Sequence, residues 1–181
     1  MISPSVRFYP EAQEFLSFSY ARGLLFVRDR RSEESEKEKE KIIAELCVDL
    51  IEQYGYRLGQ IAVSETVPIL AQSGWDYPVV DILVRGDRET PTLLIAASAP
   101  DEYEAKRDSS LATLFSLAPI IKTAALSSPL YLIYHTRSHQ NKHGEALFLV
   151  IDYQRTPTLA SWDRAGRPSE PDIPRSSPKD A

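Results

Sequence analysis

The sequence has little of what several large classes of protein require. It contains a single cysteine, Cys47, which excludes an internal disulfide and favours a reducing compartment. No apolar run approaches the roughly 20 residues that a membrane helix needs. The N-terminus lacks the charged and apolar segments of a secretory signal. We therefore expect a soluble cytoplasmic protein that has no membrane contact.

Glycine is also scarce, and acidic residues outnumber basic ones, 26 to 21. The seven glycines do not cluster, so a phosphate-binding glycine loop is excluded. The net charge is −5, whereas proteins that bind nucleic acid mainly through its phosphates usually carry a basic excess. This balance argues against strong non-specific DNA binding and leaves room for an enzyme with a small cleft. With 181 residues, 43% of them hydrophobic, the chain is long enough for one domain with a core.

Apolar periodicity predicts two helices and several strands. Apolar residues at three- and four-residue spacing predict a helix over 35–54, and Gly55 is suited to end it. A second helix is expected from about Asp101, with Pro119 breaking or kinking it. Runs rich in β-branched residues predict strands at 60–69, 79–84, 92–98, 129–134 and 146–151.

The order of these elements predicts one α/β domain over residues 32–163. A β-rich arm, 1–31, would precede it, with β-type runs at 6–9 and 23–27. A proline-rich tail, 164–181, would follow, and we expect it to be disordered because it offers little apolar surface to bury. Helices on either side of a mixed sheet would form a three-layer sandwich.

Three short motifs in this order resemble a known family. They are Tyr54-Gly55-Tyr56, the acid-bearing run 78–84 with Asp81, and the following run 94–100. Over roughly residues 35–135 the chain is similar to PD-(D/E)XK nucleases, in particular to the N-terminal domain of type I restriction enzyme R subunits and its stand-alone relatives. The resemblance implies a restriction-endonuclease-like three-layer α/β/α sandwich with a mixed sheet.

The family hydrolyses phosphodiesters with Mg²⁺, held by carboxylates, and with a lysine. The resemblance matches Asp81 to the first acid and puts the family's Glu-x-Lys at Ala96 and Ser98, which supply neither a carboxylate nor an ammonium group. It therefore implies that catalysis is largely lost and that no cofactor is expected. Glu40 and Glu45 are candidates for the family's helical acid and metal ligand, and a solvated helix face is the alternative.

The lost groups have a potential replacement at the start of the second helix. Glu102, Glu104 and Lys106 follow the second strand closely, and superfamily members relocate such groups onto this helix. With Asp81 they would form a relocated catalytic site with Mg²⁺ as cofactor. The alternative is that these acids complement the helix dipole. Asp81 itself is either a metal ligand or a structural residue paired with an arginine such as Arg85.

The segment 135–144 contains all three histidines, spaced four residues apart. On a helix this spacing would suggest a metal site, but the composition predicts a polar loop, so no metal site is expected. Arg137 and Lys142 make this segment the most basic part of the chain. They are candidate nucleic-acid contacts, and a solvated loop is the alternative.

Three functional hypotheses follow. The leading one is a degenerate nuclease fold that acts as a nucleic-acid-binding or protein-interaction module. The second is an active Mg²⁺-dependent endonuclease that uses Asp81, Glu102 or Glu104, and Lys106. The third is a subunit that docks on a protein partner, or on a second copy of itself, through its arm or a sheet edge. The first two differ in whether Asp81 shares a cleft with a second carboxylate.

Overall fold

The computed structural model describes residues 16–21, 24–29, 34–71, 74–86, 90–122, 130–138 and 145–176. In chain order the strands are β1 (Leu16–Ala21), β2 (Leu24–Asp29), β3 (Ile61–Thr66), β4 (Ile69–Ala71), β5 (Gly74–Asp76), β6 (Val79–Arg85), β7 (Pro91–Ala97), β8 (Tyr131–Ser138) and β9 (Glu145–Asp152). The α-helices are α1 (Glu34–Glu52), α2 (Tyr103–Lys122) and α3 (Leu159–Arg164). Within these ranges, no helix combines the length and the apolar character needed to cross a membrane.

A mixed five-stranded sheet of order β3-β6-β7-β8-β9 forms the centre of the domain. β7 and β8 are parallel and the other neighbours are antiparallel. α2 connects the parallel pair, because parallel strands need a crossover connection. The α/β class and the mixed sheet predicted from the sequence are confirmed.

Both faces of this sheet are covered. In β7, Leu93 and Ile95 pack in a cluster with α1 residues, whereas Leu94 packs in a second cluster with α2 residues. Strands that are buried on both faces have nearly continuous apolar runs. For this reason β6 and β7 can be predicted from the sequence. Trp162 of α3 is buried in the α2 cluster, 6.4 Å between ring centroids from Phe115.

The predicted helix over 35–54 is confirmed as α1, and Gly55 follows its end with a φ of 78°, the left-handed conformation that glycine adopts without strain. α2 begins two residues after Asp101 and is not broken by Pro119, which lies inside it. In the last turn of a helix, proline removes a single backbone hydrogen bond, and this loss is tolerated.

Two small antiparallel hairpins accompany the sheet, β1 with β2 and β4 with β5. β2 matches the predicted run at 23–27, and the run at 6–9 lies outside the described residues. β1 was not predicted, although its alternation of apolar and polar residues, LSFSYA, is typical of a strand. The predicted strand 60–69 is divided into β3 and β4 around Pro68, because proline is disfavoured inside a ladder.

The C-terminal segment differs from the disordered tail expected over 164–181. Its described part reaches residue 176 and follows a defined path on the domain, where Glu170 forms a bridge with Val150 of β9. The side chain of Ile173 belongs to the α1 cluster. Residues 177–181 lie outside the described part of the chain.

The turn after α1 holds this segment in place. The Tyr54 hydroxyl donates to Asp172 at 2.7 Å, and the Tyr56 hydroxyl donates to the Pro174 carbonyl at 2.8 Å. These partners are 118 residues apart in sequence. Composition shows only a proline-rich stretch and does not show that its backbone and its one isoleucine have partners elsewhere.

We predict that Ile173→Ala destabilises the domain. The side chain is 2% exposed, and truncating a buried isoleucine to alanine costs about 2 to 5 kcal/mol in the free energy of unfolding. Urea denaturation measures this loss. The matched control is Arg175→Ala, at an exposed position two residues on, which we expect to change stability by less than about 0.5 kcal/mol. A loss as small as the control's would mean that the segment does not pack on the domain.

Candidate functional site

A cleft of about 150 Å³ lies where β6 begins and β7 ends, between α1 and α2. Its polar lining comes from four places: α1, the acid-bearing strand β6, the end of β7, and the first turns of α2. The described residues that line it are Lys39, Val79, Val80, Asp81, Ala96, Ala97, Ser98, Glu102, Lys106, Ser110, Thr113, Leu114 and Leu117. The cleft therefore contains two carboxylates and two ammonium groups.

The carboxylate of Asp81 joins three elements. Its Oδ1 lies 2.8 Å from the Nζ of Lys39 on α1, and its Oδ2 accepts a 2.8 Å hydrogen bond from the backbone N–H of Ala97 on β7. Both oxygens are thus engaged by groups of the protein itself. The expected alternative partner, Arg85, pairs instead with Glu65 at 3.0 Å.

Asp81 lies where the sheet ladder is interrupted. On the β7 side the pairing ends at Ile82 with Ile95. On the β3 side the pairs on either side of Asp81 are formed, but Ser64, the residue opposite, has a φ of 55° and takes no part. Left-handed backbone at a non-glycine residue costs about 1 to 2 kcal/mol. The gap in the ladder explains how an acid fits within a β-branched run: its side chain replaces a missing backbone acceptor.

Ala96 and Ser98 occupy the expected Glu and Lys positions, and both face the cleft. Ala96 packs against the α2 cluster. Ser98 is buried, and its Oγ hydrogen-bonds with the Tyr134 hydroxyl at 2.9 Å. The same hydroxyl lies 2.9 Å from the Tyr103 carbonyl, and the two tyrosine rings stack at 4.6 Å. Burial raises the pKa of Tyr134, so this hydroxyl stays protonated and structural.

The residues proposed as a relocated site divide into two groups. Glu102 and Lys106 line the cleft together with Asp81, and Lys106 Nζ lies 2.8 Å from Glu102 Oε2. The hydrogen bond to Glu102 raises the pKa of Lys106, which therefore keeps its proton. Glu104 does not line the cleft. Its side chain is 73% exposed and pairs with Arg107 at 2.6 Å.

The α1 residue that reaches Asp81 is Lys39, which the sequence reasoning missed. Neither Glu40 nor Glu45 lines the cleft, and Glu45 lies 3.5 Å from Arg137. A signal for Lys39 existed, because it precedes the buried residues Ile42 and Ile43 by three and four positions. This spacing places it on the face of α1 that packs on the sheet.

The predicted polar loop 135–144 is wrong at its start. β8 continues to Ser138, and His135 is fully buried within it, stacked on Phe148 with 4.4 Å between ring centroids. The polar composition misled because these side chains find partners between strand and helix: Arg137 pairs with Asp49 as well as with Glu45. Its charge is thus neutralised internally, which weighs against Arg137 as a candidate nucleic-acid contact.

The other predictions for that segment concern residues 139–144, which include Lys142 and lie outside the described part of the chain. Among the residues that the structure describes, no group of three or more histidine, cysteine, aspartate or glutamate side chains could hold a metal ion. His135 has its Nδ1 at 3.0 Å from the Leu147 carbonyl, and because a carbonyl only accepts, a proton lies on Nδ1. Burial lowers the pKa of His135 to about 4.

The donor set of the cleft fits Mg²⁺ poorly. Mg²⁺ binds through one or two carboxylates, usually with substrate phosphates. Here Asp81 and Glu102 each carry a lysine ammonium 2.8 Å away. A cation at either carboxylate would have to displace that lysine. The cleft as built is a neutral arrangement of two internal ion pairs.

Comparison with known proteins adds no family assignment to this geometry. No protein-family model matches the chain, and no curated protein is significantly similar to it. The cleft and its side chains therefore carry the functional argument.

We predict that Asp81→Ala lowers the free energy of unfolding more than Asp81→Asn does. Alanine leaves the N–H of the buried Ala97 without its acceptor, at about 1 to 3 kcal/mol. Asparagine keeps a carbonyl acceptor and loses only the partly exposed Lys39 pair, which contributes at most about 1 kcal/mol. Urea denaturation followed by tryptophan fluorescence gives both values. Equal losses in the two variants would refute the structural role of the hydrogen bond.

We predict that His135 makes the domain less stable in mild acid. Because its folded pKa of about 4 lies below the ordinary 6.5, the unfolded chain binds the proton first as the pH falls. Stability is then unaffected above about pH 6.5 and is lost progressively toward pH 4, by about 2 kcal/mol at pH 5. His135→Asn keeps a donor for the Leu147 carbonyl and does not titrate.

The measurement is the difference in unfolding free energy between about pH 7 and pH 5 for each protein. We expect the wild-type protein to lose more than the His135→Asn variant. The comparison uses this pH dependence, not absolute stability, because asparagine also loses the ring contact with Phe148. The same pH dependence in both proteins would contradict a buried neutral His135.

Proposed function

We propose that the chain is a catalytically degenerate protein of the restriction-endonuclease-like fold that acts by binding and not by hydrolysis. The observation that carries the proposal is the state of Asp81. Its two carboxylate oxygens are engaged by Lys39 and by the backbone of Ala97. A carboxylate in this state serves as a structural acceptor and a counter-ion.

The architecture supports the nuclease-like part of the proposal. α1 packs on one side of the sheet and α2 on the other, as a three-layer α/β/α sandwich requires. The acid lies on β6, the first strand of the hairpin with β7, and faces a cleft at the sheet end between the two helices. The three layers and the acid at Asp81 are what the resemblance to PD-(D/E)XK nucleases implies.

The side chains support the degenerate part. Ala96 and Ser98 supply no carboxylate, and the Ser98 hydroxyl is engaged with Tyr134. Glu102 is neutralised by Lys106. No carboxylate described in the cleft lacks an ammonium counter-ion, so hydrolysis through this site would require both pairs to break.

Charge favours a protein over a nucleic acid as the bound partner. The cleft contains as many carboxylates as ammonium groups, and the chain as a whole has a net charge of −5. Val79, which lines the cleft, is 55% exposed, and Tyr77, two residues earlier in the sequence, is 57% exposed. Protein interfaces are enriched in aromatic and apolar side chains, whereas polyanion binding needs a basic face.

A second candidate is the active Mg²⁺-dependent endonuclease with a relocated site. The observation in its favour is that Asp81, Glu102 and Lys106 line one cleft, instead of facing opposite sides of the sheet. The Glu104 side chain pairs with Arg107 outside the cleft, so Glu104 is not part of this site. In such an enzyme the cation would be held by Asp81 and Glu102, with a lysine beside it.

We predict that the purified protein does not cleave single- or double-stranded DNA or RNA with Mg²⁺ or Mn²⁺ above the background set by Asp81→Asn. This variant is the control because it preserves the hydrogen bond to Ala97 and removes the charge that a metal needs. The readout is product formation on labelled oligonucleotides.

Metal-dependent cleavage that disappears in both Asp81→Asn and Glu102→Gln would overturn the proposal and establish the endonuclease. Binding is tested on the same preparation. Light scattering after size exclusion reports a second copy, and a salt titration of oligonucleotide binding reports contacts with phosphates. Tight, strongly salt-dependent binding of the oligonucleotide would show that the partner is a nucleic acid and not a protein.

A further inference from the structure

The position of Lys39 is fixed by the helix that carries it. Ile42 and Leu46 of α1 are fully buried in the cluster with the sheet, so the rotation of the helix is set by the core. Lys39 lies one and two turns before them, on the same face. Its Nζ thereby reaches Asp81 Oδ1 at 2.8 Å, with the lysine side chain 37% exposed and the aspartate side chain 14% exposed.

An ammonium group at this place excludes a divalent cation. Mg²⁺ binds a carboxylate oxygen at about 2.1 Å, so a cation on Asp81 would lie within a few ångströms of the Lys39 Nζ. Repulsion at this range, in a partly buried site, is much stronger than in bulk water. The second carboxylate, Glu102, has its own lysine on the following turn of α2.

We infer that the Lys39 ammonium group replaces a divalent cation as the counter-ion of Asp81, and that Lys39 is what closes a latent divalent-cation site formed by Asp81 and Glu102. The inference rests on the proposed function. It explains how a protein with the fold of metal-dependent nucleases is stable and inactive without a metal. It goes beyond that proposal by assigning the exclusion to one side chain.

The charge of position 39 should then decide whether the cleft binds a metal. In Lys39→Glu, three carboxylates face the cleft and Lys106 is the one ammonium left among the lining residues described. Lys39→Gln removes the positive charge and keeps an amide that can donate to Asp81, so it is the milder variant if the glutamate destabilises the fold. Lys41→Glu is the matched control, with the same charge change on the same helix at an exposed residue outside the cleft.

The experiment measures Mn²⁺ binding to the full chain, by loss of the free Mn²⁺ signal in electron paramagnetic resonance. Because affinity follows the number of charged ligands, we expect Lys39→Glu to bind one Mn²⁺ at least about tenfold more tightly than the wild type. Lys39→Gln should fall between the two, and Lys41→Glu should match the wild type. Adding Asp81→Asn to Lys39→Glu should abolish the gain.

Two results would overturn the inference: wild-type Mn²⁺ binding that matches Lys39→Glu, or no gain over Lys41→Glu in position-39 variants whose circular dichroism shows that they are folded. These results are separate from the test of the proposed function. A wild-type protein that stays inactive while the variants gain no metal refutes the role of Lys39 alone. Metal-dependent cleavage by the wild type refutes the proposed function itself.

Discussion

The end of the sheet and the cleft both depend on the contacts that the carboxylate of Asp81 makes. It fills the gap in the β6 ladder by accepting the N–H of Ala97, and it ties α1 to the sheet through Lys39. A carboxylate that is mostly buried and unpaired would be costly. Here one hydrogen bond and one ion pair satisfy it, and the same contacts fix the positions of three secondary-structure elements around the cleft.

Around this carboxylate the cleft is held by side-chain contacts and is electrically balanced. The stacked rings of Tyr103 and Tyr134 join the start of α2 to β8, and Ser98 hydrogen-bonds with Tyr134. A serine at this position belongs to the core, whereas a lysine would have projected its charge into the cleft. Under the proposed function, a few side chains in this cleft would therefore separate a binding protein from a hydrolytic relative.

The sequence predicts those parts of the molecule that are specified locally. α1 has one buried apolar face, and β6 and β7 are buried over most of their residues, so their apolar pattern identifies them, and Asp81 stands out as the one acid in such a run. The rest depends on distant partners. Ile173 is anchored beside a turn more than a hundred residues earlier in the chain. His135 is a polar residue in the sequence, and its burial depends on the ring of Phe148, on which it stacks in the folded domain. Lys39 is indistinguishable from its charged neighbours unless the helical face is followed back from Ile42.

The substitutions in the proposed degenerate site are consistent with one another. Asp81 is needed as the acceptor for the Ala97 N–H whether or not a metal binds. In that proposal, Ala96 and Ser98 stand at the positions of the family's glutamate and lysine, so a cation would have few carboxylate ligands, and without a cation the charge of Asp81 would need another counter-ion. Lys39 supplies that compensation from α1. The contacts of Asp81 with Ala97 and Lys39 thus account for an acid at this position without a metal. What distinguishes an active site from a structural one is the counter-ion that faces the acid.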